Sequence, residues 1–241
     1  MDKKKEIKIR LYTHFKISLG IKVILEKFQI HYVYYVMRAK LFDKVRLFNG
    51  KDGEWIGEIT LISCNFIEIT AVQLIKKQYV TRDLTLYFAP VKSVDMSNIV
   101  RQATEMGVTS ICPIYTEYTV VKNVNLEKFR TWAIKASEQC ERLDVPKIMP
   151  MISFIKLKEL CLQGKEYIIC DETGQGKSPN EVLMGKNNVA VIIGPEGGFS
   201  HYELEFAKSF CNSMSLGLRI LKVDTAIICA LSYVNEYYNL I

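Results

Sequence analysis

Apolar and polar positions change rhythm once along this chain, within residues 73–82. Before that point, short alternating runs are separated by glycine-rich turns. Lys44-Val45-Arg46-Leu47-Phe48 runs through Asn49-Gly50-Lys51-Asp52-Gly53 into Glu54-Trp55-Ile56-Gly57-Glu58-Ile59, which predicts a hairpin. A further strand is expected at Phe66-Ile67-Glu68-Ile69. Short strands joined by tight turns point to a small barrel. From Leu84 on, strands alternate with helices. Residues 84–89 read as a strand ended by Pro90, and Met96, Ile99, Val100, Ala103 and Met106 fall on one helical face that Gly107 stops. Strands follow at 108–114, 167–170, 189–193 and 214–216, with helices over 126–143, from Ser200, and from about Asp224. This alternation predicts an α/β domain with a mostly parallel sheet and helices on both faces. The polar stretch Lys76-Lys77-Gln78 lies at the change of rhythm, and the expected domains are 1–73 and 74–241.

Composition narrows the class. The 241 residues are 49% hydrophobic and 24% charged, enough apolar material for a packed core. No apolar run approaches the roughly 20 residues of a membrane span, and the basic start, residues 1–6, has no apolar stretch behind it to make a secretory signal. Seven cysteines lie at least nine residues apart, which argues against a disulfide framework or a zinc site and for buried thiols in a reducing cytoplasm. The three histidines, 14, 31 and 201, offer no metal constellation either. Charge is uneven. Residues 1–73 hold thirteen Lys and Arg against eight Asp and Glu, so nearly all of the net +6 lies in the first third. That suits a polyanion-binding module beside a near-neutral catalytic domain, or a solvated basic surface. Within it, His31 precedes Tyr32-Val33-Tyr34-Tyr35 and is followed by Arg38 and Lys40. This mixture suits phosphate contacts and base stacking, and the Tyr and Val alternation equally suits barrel core.

Candidate chemistry gathers near the C-terminus. The apolar run Val189-Ala190-Val191-Ile192-Ile193 leads into Gly194-Pro195-Glu196-Gly197-Gly198-Phe199-Ser200, and Ser200 with Glu203 forms a capping box for the next helix. Strand, glycine loop and helix start bring bare backbone close to a ligand. A second loop runs from Ser215 through Leu216, Gly217, Leu218, Arg219, Ile220, Leu221, Lys222 and Val223 to Asp224 and Thr225, either of which could cap a helix. Ile220 and Leu221 suit the wall of a pocket for a flat apolar ring. A third loop begins at Asp171 after the 167–170 strand. Residues 171–178 look superficially like a phosphate-binding P-loop, but Asp171 stands where glycine is needed and Pro179 follows at once. It reads better as a ligand loop at a strand's carboxyl end.

Four segments together resemble one family. They are Gln102-Ala103-Thr104-Glu105-Met106-Gly107-Val108, Glu138-Gln139-Cys140-Glu141-Arg142-Leu143-Asp144-Val145-Pro146, the glycine loop from Ile193 to Ser200, and Leu216 through Ala226. They are similar to the RsmE-type 16S rRNA (uracil-N3) methyltransferases of the SPOUT superfamily, and the His31 to Lys40 segment fits the first domain of that family. The resemblance implies an N-terminal PUA-like barrel that binds RNA, with His31, Arg38 and Lys40 on it, and a C-terminal α/β domain with a deep trefoil knot. It also implies a homodimer acting on the small ribosomal subunit and S-adenosylmethionine held by the knot loops. The cofactor residues carried over are Asp171, Gly194, Pro195, Glu196, Gly197, Gly198, Leu216, Gly217, Leu218, Ile220 and Leu221. Three positions depart from the family pattern: Asp224 for Glu, Lys222 for Arg, and Phe42 in a turn that often holds Gly.

Methylating a uracil N3 requires removing an imide proton and placing two bound reactants in line. Arg219 is the candidate to stabilise the uracil anion. Glu196 and Asp224 are candidate bases, each with a structural alternative at a helix start. Two other functions fit the same segments: a SPOUT methyltransferase acting on another RNA such as transfer RNA, and a non-catalytic RNA-binding protein on the same scaffold.

Overall fold

The computed structural model describes residues 7–161, 164–173 and 176–238. Residues 1–6, and Gly174 and Gln175 of the P-loop look-alike, lie outside them. The chain divides into two compact units, Met1–Val80 with Ser137–Val145, and Thr81–Ala136 with Pro146–Ile241.

The first unit is built on a five-stranded sheet in the order β1 (Arg10–Tyr12), β3 (Lys44–Phe48), β4 (Glu54–Ile62), β5 (Ile67–Lys76) and β2 (Lys22–Ile24). The expected hairpin is β3 and β4, antiparallel with Phe48 opposite Glu54. Gly50 and Gly53 take positive φ in the turn, as a tight reversal requires. Three register shifts between β4 and β5 bend these long strands, and Leu11, Val23, Val45, Leu47, Ile59, Ile67 and Ile69 pack into one core. Between β2 and β3 lies α1 (Lys27–His31), which runs on as a π-helical turn over Tyr32–Val36. The alternation of Tyr and Val there is therefore not a strand: of these five residues only Val33 is buried.

The segment 137–145 is tied to this unit by a buried cation. Arg10, 4% exposed, pairs with the fully buried Glu54 and donates to the carbonyls of Ser137 (2.7 Å) and Arg142 (2.8 Å). A buried guanidinium is tolerated only when its donors are matched in this way. The backbone amide of Tyr12 also donates to Glu138 at 3.0 Å.

The second unit carries a seven-stranded sheet. Its order is β12 (Cys211–Met214), β10 (Glu166–Cys170), β11 (Val189–Ile193), β6 (Leu84–Phe88), β7 (Ser110–Tyr115) and β8 (Lys147–Ile148), with β9 (Ile152–Ser153) also on β7. Every recorded pairing is parallel. The chain is α/β as the rhythm predicts. The helices are α2 (Met96–Glu105), α3 (Leu126–Gln139), the short α4 (Phe154–Leu157), α5 (Pro179–Leu183), α6 (His201–Ala207) and α7 (Val223–Tyr237). α2 starts on Asp95, whose carboxylate accepts from the Ser97 amide at 2.9 Å, and Gly107 follows its end at φ 82°. The expected strand at 214–216 lies earlier, at Cys211–Met214, where polar Asn212 and Ser213 hid it on the sheet's edge. The thiols are not uniformly buried: all seven are free, Cys64 is exposed, and among them Cys112 is the buried one. No helix among the described residues is long and apolar enough to cross a membrane.

Candidate active site

Parallel pairing gathers the three candidate loops. Cys170 pairs with Ile193 on one side and with Met214 on the other, so β10, β11 and β12 end at the same level. Their following loops must leave the same edge of the sheet, where open α/β folds place ligands. β11 is buried along its whole length, as a strand covered on both faces must be.

The glycine loop is anchored at both ends. Gly198 donates to the Pro195 carbonyl at 2.9 Å with φ 70°, and a β-carbon on it would overlap the Glu172 carboxylate of the neighbouring loop. Glycine at this point lets the two loops close on each other. Phe199 turns back into the core, its ring 5.2 Å from that of Phe154. The capping box of α6 is present: Ser200 Oγ accepts from the Glu203 amide, and the Ser200 amide donates to Glu203 at 3.0 Å. Glu203, only 4% exposed, also accepts from the Glu117 amide at 2.9 Å and so ties the turn after β7 to the glycine loop.

Together the loops line one open cleft of about 580 Å³, counting the space at its mouth. Of the candidate residues, Asp171, Gly194, Pro195, Gly198, Leu216, Gly217, Arg219, Ile220 and Leu221 line it. Glu196, Gly197 and Leu218 do not line it; all three are exposed, and Glu196 accepts from Ser93 Oγ. Asp224 is also absent from the lining, and it does not cap α7. Lys222 holds the N-cap position without a side-chain hydrogen bond, and Asp224 sits in the first turn with a buried, unpartnered Oδ1. Sequence reading missed Cys170, Glu172, Ile193, Phe199, Val223 and Ala226. Cys170 and Ile193 are the last residues of their strands and could have been placed by that rule; Glu172 carried no signal. Loss of solvent around the half-buried Cys170 raises its thiol, reinforced by Cys229 and Asp171, so it stays protonated at neutral pH.

The cleft suits a nucleoside carrying a charged tail. Ile193, Leu216, Ile220 and Leu221 offer an apolar wall, Asp171 and Glu172 offer carboxylate acceptors for hydroxyls, and Gly217 has φ 114° with nothing within 4 Å of where a β-carbon would stand. Ile220 is 80% exposed, a large apolar side chain left without a protein partner at the mouth. Asp171 is steadied by accepting from the Thr173 amide and hydroxyl at 2.9 and 2.6 Å.

Comparison with known proteins agrees with this geometry. Residues 78–235 match the family described as RNA methyltransferase domain, and residues 25–72 match RNA methyltransferase PUA domain. The chain belongs to the RNA methyltransferase family. Among its relatives is the ribosomal RNA small subunit methyltransferase E of Rickettsia conorii, 34% identical over 94% of each chain. A methyltransferase from Legionella pneumophila, solved in complex with bound S-adenosylmethionine, is 25% identical with a TM-score of 0.87 over 95% of this chain and 97% of that one. The ribosomal RNA small subunit methyltransferase E of Neisseria gonorrhoeae, solved with S-adenosylmethionine, shares the fold at a TM-score of 0.88 and 22% identity, covering 95% of this chain and 97% of its own.

The RNA-contact candidates lie in the first unit. His31 is exposed at the end of α1, its ring 5.3 Å from Tyr35. Arg38 and Lys40, also exposed, line a separate groove that does not include His31.

Proposed function

We propose that this family member is an S-adenosylmethionine-dependent methyltransferase that modifies N3 of a uridine in 16S rRNA of the small ribosomal subunit, working as a cytoplasmic homodimer with a knotted C-terminal domain. The observation that carries the reading is the convergence of three loops from adjacent parallel strands on one glycine-lined, apolar-walled cleft. The relatives' names supply the RNA, and the segments resembling RsmE-type enzymes supply the atom.

When bound, S-adenosylmethionine supplies an electrophilic methyl group on a sulfonium, which departs with the carbon–sulfur electron pair left on sulfur. The chain's own residues do the rest. Ile220 and Leu221 would pack against the cofactor's purine, Asp171 and Glu172 would accept from its ribose hydroxyls, and Gly194, Gly198 and Gly217 would let the backbone approach it. Arg219, exposed on the cleft wall, would stabilise the negative charge that builds on O2 and O4 as N3 loses its proton. Glu196 and Asp224 stay equal candidates to accept that proton: neither lines the cleft, Glu196 being exposed and engaged by Ser93, and Asp224 having one oxygen buried. The uridine must be unpaired or flipped to present N3.

The test is methyl transfer from labelled S-adenosylmethionine to small subunits lacking the modification, followed by mapping of the product. Label at a single uracil N3 supports the reading. Label on transfer RNA instead, or S-adenosylmethionine binding with no transfer to any RNA, replaces it with one of the two other functions.

A further inference from the structure

The groove holding Arg38 and Lys40 is larger than those two residues require. Counting the open space at its mouth it is about 1360 Å³, lies wholly in the first unit, and is lined among others by Lys8, Lys44, Phe42 and Asp43. Four cations thus face one acid, and that acid is engaged: Asp43 accepts from the Lys40 amide at 2.8 Å. Among the described residues, none of Lys8, Arg38, Lys40 and Lys44 forms an ion pair, so the field they make is left to a ligand.

Phe42 is the unexpected member. Its ring is 66% exposed although it is among the most apolar side chains, and its backbone sits at φ 67°, a region that L residues with bulky side chains rarely adopt. The turn is pinned to β4 from both sides. The Phe42 amide donates to the Ile59 carbonyl at 2.9 Å, and the Ile59 amide donates to the Asp43 carbonyl at 3.0 Å. A rigid turn holds an aromatic face outward where glycine would fit with less strain, and strain of this sort collects where a side chain has a task.

We infer that this groove takes single-stranded RNA, with one unstacked base on the Phe42 ring and the neighbouring phosphates on Lys8, Arg38, Lys40 and Lys44. Cations spaced around an exposed aromatic ring match a strand whose base faces are free, whereas a duplex offers phosphates but no open base face. The inference rests on RNA being the substrate, and it assigns the strand and the contacts that the first unit uses.

The experiment uses the full chain, a fluorescent single-stranded oligonucleotide of about ten nucleotides, and a duplex of the same length. Phe42→Gly is expected to leave thermal unfolding unchanged or raised and to weaken the single strand roughly 5- to 150-fold, with the salt dependence unaltered. Phe42→Trp retains tight binding. Lys44→Ala weakens it and lowers the salt slope by about 0.7. Equal affinity of Phe42→Gly and wild type for the single strand overturns the inference, as does a duplex that binds as tightly as the strand. The assay is independent of methyl transfer: ring-dependent strand binding without transfer leaves the groove standing and removes the proposed function, and transfer by a protein whose strand affinity ignores Phe42 does the reverse.

Discussion

At the scale of single residues, the cleft depends on side chains that are missing and on one that is charged. Gly217 adopts φ 114°, where a β-carbon would meet no neighbour but where a residue with a side chain would be strained. Gly217→Ala should therefore cost about 1 kcal/mol or more of local stability and loosen the loop that carries Arg219. Its measurable effect should be weaker S-adenosylmethionine binding with thermal unfolding little changed. Arg219→Ala should separate the other way, lowering turnover 10- to 1000-fold, on the order of an oxyanion donor's worth, while the cofactor's Kd stays within a few-fold. If Arg219→Ala transfers methyl at the wild-type rate, the guanidinium has no part in the chemistry. Residue-level signals were readable where a residue type is obligatory: the glycines, the Ser200 and Glu203 capping box, Asp95 before α2. They failed for Asp224, which has capping chemistry in sequence but stands two positions past the cap, which Lys222 occupies.

At the scale of elements, Glu203 has the widest reach. Its buried carboxylate serves the Ser200 amide and the Glu117 amide, so it holds the start of α6 and the turn after β7 at once. Glu203→Ala should destabilise the protein by about 3 kcal/mol, the sum of a lost cap and a buried donor left unmatched, as read from denaturant unfolding. Cys112, in β7, gives a pH signature. Burial pushes its thiol up from 9.0 to about 12. The unfolded chain therefore ionises first, and the stability that this group contributes is complete below pH 9 and lost progressively as pH climbs towards 12. Cys112→Val should flatten that alkaline decline; an unchanged profile would show that other buried groups set it. Elements were legible where periodicity had length to show itself, as in α2, β11 and the β3–β4 hairpin. β1 and β2, three residues each, are too short to alternate visibly, and the helical turn over Tyr32–Val36 imitated a strand because bulky apolar residues fell at alternate positions.

At the scale of the whole molecule, sequence order and spatial grouping part company. The first compact unit runs on to Val80, and Ser137–Val145 returns to it from far along the chain. No local pattern announces such a return, because it is fixed by Arg10 seeking the Ser137 and Arg142 carbonyls over more than 120 residues of chain. A fragment ending at residue 80 leaves that buried guanidinium without two acceptors. It should unfold well below the full-length protein, as read from thermal unfolding of the two. A fragment as stable as the intact unit would deny the segment its role. The convergence of the three loops was likewise visible only as three separate glycine or apolar stretches; parallel pairing of β10, β11 and β12 is what makes them one place.

The claim on which the rest depends is that this cleft holds the methyl donor, and calorimetric titration of the protein with S-adenosylmethionine tests it most directly. One donor should bind per chain, and Ile220→Asp, which puts a charge at the exposed end of the apolar wall without touching the core, should weaken it at least tenfold. Binding by the variant as tight as by wild type would place the donor elsewhere and contradict the account.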